Sequence, residues 1–195
     1  MHALSRKGRS KLVFAPQIGQ CESKTGIGSL IVYRRFVFVA AFAVYALDQV
    51  SKFLAVKFLE GQDPIHLLGS LVTLTFVRNP GAAFSLGTGS TIIFTILAAG
   101  VSILIIRSAH KLTHIGWAIG LGAVLGGATG NLTDRLLRSP GHFRGHVVDF
   151  IQFPHFAVFN LADSAIVCSA IAMTYLSMRG VEFIDEPAHS SEEQI

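Results

Sequence analysis

Charged residues are scarce in this sequence. Asp, Glu, Lys and Arg make up 14% of its 195 residues, where soluble domains carry about a quarter. So few charges cannot cover a folded surface against water, which argues against a soluble globule and for contact with lipid. Cysteine is also scarce, with Cys21 in a polar N-terminal stretch and Cys168 inside the last apolar run. Residues on opposite sides of a membrane boundary cannot be joined, so no disulfide is expected. Ile18-Gly19-Gln20 before Cys21 resembles a lipidation site only faintly, and no apolar signal segment precedes it. No His-Glu-x-x-His motif occurs.

Hydrophobic residues, by contrast, reach 51%, and the mean hydropathy is +0.54. The isoelectric point near 9.3 could suggest nucleic acid as a partner. The placement of the basic residues argues against it. Arg6, Lys7, Arg9, Lys11, Lys24, Arg34 and Arg35 crowd the N-terminal end, and the rest flank apolar runs as topology signals do.

Residues 1–32 are mixed and aperiodic, which predicts a disordered cytoplasmic tail. Four apolar runs follow. The first starts at Phe36 and passes Asp48 and Lys52 to reach Leu59. It attains the roughly 20 residues a membrane span needs only if that pair lies near its far end, where i,i+4 spacing lets the two side chains meet. The second span covers about 91–106 and the third about 115–132. In the third, Gly116/Gly120, Gly122/Gly126 and Gly126/Gly130 allow close helix approach. The fourth covers about 159–178, before an acidic tail. Between the first two spans, residues 66–77 are β-branched and roughly alternating, predicting one or two short strands. Arg78 to Ser85 reads as a turn. The expectation is an all-α membrane protein with a four-helix domain over 33–180, a small β-rich outer cradle and an acidic cytoplasmic tail over 181–195. The positive-inside rule puts both termini in the cytoplasm and residues 60–89 and 136–158 outside, with Arg138 and Arg144 as a mild conflict.

Polar residues at span edges are costly and therefore point to function. Here they gather on the outer side: Asp48, Lys52, Asn79, Asn131, Asp134, Arg135, Asp149, Asn160 and Asp163. Two acids stand out. Asp163 lies about one turn into the fourth helix, where a carboxylate can also serve simply as a helix cap. Asp149, in Val147-Val148-Asp149-Phe150, could equally be a loop carboxylate paired with Arg144 or Arg135. If instead the two acids share a low-dielectric site, their pKa values split, and one can act as base toward water while the other donates to a carbonyl.

Five segments in this order resemble the signature blocks of signal peptidase II, the lipoprotein signal peptidase family. They are Asp48-Gln49-Val50-Ser51-Lys52, Asn79-Pro80-Gly81-Ala82-Ala83-Phe84-Ser85, Gly126 to Arg135, Val147-Val148-Asp149-Phe150 and Phe159-Asn160-Leu161-Ala162-Asp163-Ser164. The resemblance spans residues 36–178 and leaves the N-terminal thirty residues outside. It implies an aspartic endopeptidase of the bacterial inner membrane, with its site at the outer face. Asp149 and Asp163 are then the catalytic pair. Asn79, Asn131, Arg135 and Asn160 line the site, and Asp48, Lys52 and Asp134 support it. It further implies diacylglyceryl-modified prolipoproteins as substrates, cut before the lipid-bearing cysteine. The enzyme is expected to work as a monomer surrounded by membrane lipid, with no cofactor, metal or nucleic acid. The main competing reading is a metal-dependent hydrolase built on His142, His146, Asp149 and His155, although Pro140-Gly141 and Gly145 favour a loop there over a helix. A transporter using the same carboxylates would need polar groups reaching the cytoplasmic face, and the second and third spans supply none.

Overall fold

Within hydrocarbon, a backbone must satisfy its hydrogen bonds inside its own segment, and the four apolar runs accordingly form four helices. A computed structural model describes residues 23–81, 90–141 and 143–183, with the backbone alone for 23–30 and 90. The helices are α1 (Ser23–Phe58), α2 (Ser90–Ser108), α3 (Ile115–Leu137) and α4 (Leu161–Met178). Each holds a stretch long and apolar enough to cross a membrane: Ile31–Phe58, Thr91–Ser108, Ile115–Leu137 and Leu161–Met178. Outward faces carry large apolar side chains such as Phe42, Ile96 and Ile171. Hydroxyls inside the spans bond back to the preceding turn, as Ser102 does to Ala98 O and Thr129 to Leu125 O.

Two helix boundaries differ from the sequence expectation. Helix α1 reaches back to Ser23, so part of the expected tail is helical, while residues 1–22 lie outside the described residues. Helix α3 runs on to Leu137 rather than ending near 132. Asp134 and Arg135 are therefore held in its last turns, and both are buried.

Helix α3 is central and packs against the other three. Its glycines make this possible. A Cβ at Gly126 would run into the Ala41 carbonyl of α1, and one at Gly120 would come within 2.8 Å of Met173 of α4. A three-stranded antiparallel sheet, ordered β1-β2-β3, sits beyond one end of the bundle, where α1 ends and α4 begins. Its strands are β1 (Ile65–Leu67), β2 (Val72–Asn79) and β3 (Val147–Gln152). The first two fall in the segment expected to be extended. The third is new: Asp149 lies on a strand, not in an irregular loop. Its β-branched, apolar neighbours suit a strand buried on both faces.

Strand β2 pairs Thr73 with Gln152 and Leu74 with Ile151, then bulges and resumes at Val77–Asp149. The extra residue on β2 re-aims the side chains beyond it. Val148 and Phe150 pack on Ala55 and Leu59 of α1, forming one core at the sheet end of the bundle. A second core of Val37, Ala41, Ile105, Leu112, Ala118 and Leu125 occupies the opposite end of the bundle. Between them lies a buried polar layer containing Asp48, Lys52, Asp134, Asp149 and Asn160.

Candidate active site

Strand β3 turns Val148 toward the core it shares with α1, and strand alternation points Asp149 the other way. Asp149 is 2% exposed. Asn79 Nδ2 donates to its Oδ2 at 2.8 Å, and Asn160 Nδ2 donates to its Oδ1 at 2.6 Å. Asn79 reaches it because it lies two residues past Val77, the register partner of Asp149, and so on the same face. Its amide is oriented by Gly81 N–H, which donates to Asn79 Oδ1 at 2.8 Å. Burial is the largest influence on the Asp149 carboxyl, pushing it up to about 6. The Asn79 bond and the nearby Asp163 charge follow, acting in opposite directions.

Phe159 bridges to Ile151 of β3, which sets Asn160 beside Asp149 just as the chain enters α4. Asn160 caps that helix. Its Oδ1 accepts from Asp163 N–H at 3.1 Å, while its own N–H donates to Asp163 Oδ2 at 3.3 Å. This reciprocal capping box realises the capping reading of Asp163. It does not exclude the chemical one, because the other carboxylate oxygen, Oδ1, accepts from Asn131 Nδ2 at 2.8 Å. Asn160 Nδ2 also donates to Asn131 Oδ1 at 3.2 Å. Two asparagines thus link the two aspartates.

Behind Asn131 stands the buried ion cluster. Lys52 Nζ lies 2.8 Å from Asp48, 2.9 Å from Asp134 and 2.8 Å from Asn131 Oδ1. The i,i+4 pairing of Asp48 with Lys52 is as the spacing indicated. Arg138 completes the cluster at 2.5 Å from Asp134. In the sequence Arg138 stands out only as a topology conflict, yet its i,i+4 relation to Asp134 is the signal that marks the pair. Gln49, to which no role was assigned, ties Asp48 to Gly130 O. Arg135 lies over the Phe94 ring at 5.5 Å, and the carboxylates acting most strongly on its charge are Asp149, then Asp163 and Asp134. Its Nη1 is buried and has no hydrogen-bond partner among the described residues. Arg144 is exposed on the loop and makes no ion pair with Asp149.

Asp149, Asp163, Asn79, Asn131 and Arg135 line one cleft of about 510 Å³. Its remaining wall is apolar, from Phe94 and Leu97 on α2, Val124 on α3 and Ile166 on α4. A larger hollow of about 700 Å³, between the start of α2 and the 140–144 loop, has no carboxylate among its described lining residues. Among the described residues, no three His, Cys, Asp or Glu side chains are grouped to hold a metal ion, and His142 lies outside those residues. Cys168 is exposed on α4, and Cys21 is likewise outside them.

Comparison with known proteins adds a family, two relatives and a solved structure. The family profile described as signal peptidase (SPase) II matches residues 40–179. A lipoprotein signal peptidase of Streptomyces coelicolor is 53% identical over 146 residues, covering 75% of this chain and 72% of the relative. One from Rhodococcus jostii is 50% identical over 149 residues, covering 76% and 75%. Among solved structures, one titled as a bacterial membrane enzyme, determined in meso at 1.9 Å, superposes with a TM-score of 0.63 at 26% identity. That superposition covers 78% of this chain and 94% of the other.

Proposed function

This chain belongs to the signal peptidase II family, inner-membrane peptidases of bacteria that remove signal peptides from prolipoproteins, and from that premise we propose that Asp149 and Asp163 are its catalytic pair. The observation that carries this reading is the joining of the two carboxylates through Asn160 and Asn131 at one cleft, with Asp149 pushed up to about 6. Of the two, Asp149 is the acid that takes up the proton the pair needs, because burial penalises its ionised form. Asp163 sits in the first turn of α4, where the helix dipole favours negative charge.

Water between the two gives a proton to Asp163 as its oxygen attacks the scissile carbonyl carbon. Asp149 gives its proton to the carbonyl oxygen, and a neutral tetrahedral diol forms. Asp163 then protonates the leaving nitrogen while Asp149 recovers a proton from a diol hydroxyl, and the C–N bond breaks. Both acids end as they began. Asn79 and Asn160 hold Asp149 by their amides, Asn131 holds Asp163, and Nη1 of Arg135, unpartnered among the described residues, is available to a peptide carbonyl.

The substrates are diacylglyceryl-modified prolipoproteins, cut before the lipid-bearing cysteine. In support, the polar end of the cleft carries both acids, while its apolar wall on α2, α3 and α4 suits acyl and signal-peptide chains that stay in lipid. The chain works as a monomer, a reading supported by one chain supplying every group of the site. Both termini face the cytoplasm and the site faces outward, as the distribution of Lys and Arg favours. Incubating purified protein with a lipid-modified prolipoprotein tests the assignment. Asp149→Asn and Asp163→Asn should each abolish cleavage while the protein still folds and inserts, and substantial turnover by either would remove that residue from the pair.

A further inference from the structure

Three of the buried charges touch neither the cleft nor solvent. Asp48, Lys52 and Asp134 have side-chain exposures of 0–1%, and none of them lines the cleft. Their partners are informative. Asp48 Oδ1 accepts the N–H of Ala162 at 3.0 Å, and Asp134 Oδ2 accepts the N–H of Val148 at 3.3 Å. Ala162 and Val148 immediately precede Asp163 and Asp149. Each buried carboxylate therefore grips the backbone one residue before one of the two cleft aspartates. Lys52 joins the two grips, and an ammonium has three donors. Two go to Asp48 and Asp134, and the third goes to Asn131, which itself bonds Asp163.

We propose that Lys52 is a positioning residue for the peptidase reaction, a buckle that draws Asp48 and Asp134 together and thereby sets the separation of Asp149 and Asp163. The inference rests on the assignment of those two aspartates as the catalytic pair. Asp149 arrives on a strand and Asp163 on a helix, elements that must be locked in register to within a fraction of an ångström. Without the ammonium, the two buried carboxylates repel, and each grip moves with its own element. Arg138, on the far oxygen of Asp134, balances the remaining negative charge. No group of the buckle reaches the substrate. Its loss should therefore act on the chemical step and not on binding, and a displacement of about 1 Å can slow such a step about 100-fold.

Lys52→Met removes the buckle outright. Asp48→Asn is milder, since its oxygen can still accept from Ala162 while its amide faces the ammonium. Both would be assayed in detergent with a lipid-modified prolipoprotein. Binding stoichiometry would be measured with a diacylglyceryl-cysteine peptide whose scissile amide is reduced to a methylene amine. The expected result is a kcat about 10- to 100-fold lower, with KM within about twofold and the peptide still bound one to one. Unchanged kcat overturns the proposal. So does a loss of turnover matched by an equal loss of binding-competent protein, or failure of Asp48→Asn to fold, since the trio would then serve stability alone. Asp149→Asn and Asp163→Asn run alongside separate the two levels. If those remain active, the catalytic pair is misassigned; if they are inactive while the buckle variants turn over normally, only the buckle fails.

Discussion

Replacing Asp149 by Asn should make the protein more stable at neutral pH as it destroys activity. Folding moves this carboxyl from 3.8 to about 6 in an environment that leaves it 2% exposed. The folded-state value is raised, so the folded protein binds the proton more tightly than the unfolded chain does. The stability this contributes is fully present below pH 3.8 and is lost as the pH rises through about 6. At pH 8 the penalty for holding Asp149 ionised is about 3 kcal/mol, and at pH 5 it is about half that. Asn never ionises and escapes both. Against that gain stands one lost hydrogen bond. Asn79 is pinned by Gly81 and Asn160 by Asp163, so both present N–H groups to position 149. An amide there can accept from only one of them. The mismatch costs about 1–2 kcal/mol and hardly varies with pH.

The net expectation is a variant about 1–2 kcal/mol more stable than the parent at pH 8 and near parity at pH 5. Unfolding can be followed through the single tryptophan, Trp117, which packs edge-on against Phe183. The diagnostic quantity is the change in the difference between pH 8 and pH 5, about half of the pH 8 penalty, because the hydrogen-bond mismatch cancels from it. Parallel stability curves for the two proteins across that interval would refute the reasoning, since Asp149 would then titrate alike in folded and unfolded chains.

Further outcomes follow from the same geometry. Because the two acids act as a unit, the Asp149→Asn/Asp163→Asn double variant should cleave no more slowly than either single one, and a multiplicative loss in a prolipoprotein cleavage assay would contradict a shared step. Gly126→Ala drives a Cβ into the Ala41 carbonyl and should lower stability by about 1–3 kcal/mol. Gly100→Ala meets open space and should be neutral or stabilising by up to about 1 kcal/mol in the same unfolding measurement. A reporter fused after Ile195 and active only outside the inner membrane should stay silent, and activity there would reverse the orientation.

Much of the fold was legible because membrane helices write themselves in composition. A run of about 20 apolar residues has few alternatives in lipid, so the four spans could be placed to within a few residues. The glycine pairs of the third span identified a helix that others approach closely, though not which neighbour meets which glycine. The two strands before α2 showed in β-branched alternation. By contrast, Val147–Gln152 is a six-residue apolar run whose partner lies about seventy residues earlier, and a strand exists only when paired. Read alone, that segment is a loop.

The same division runs through the site. Sequence by itself determined which side chains are costly in a membrane, and so which ones ask for a functional reason. The i,i+4 spacing of Asp48 and Lys52 and the position of Asp163 at a helix start followed from helical geometry alone. Only the tertiary structure decided that Asp134 faces Lys52, that Asn160 reaches across to Asp149, and that two buried carboxylates grip the backbone just before the aspartates of the cleft. Such contacts join residues up to 114 positions apart. No local preference encodes them, because each depends on where α1, α3, α4 and the sheet come to rest against one another.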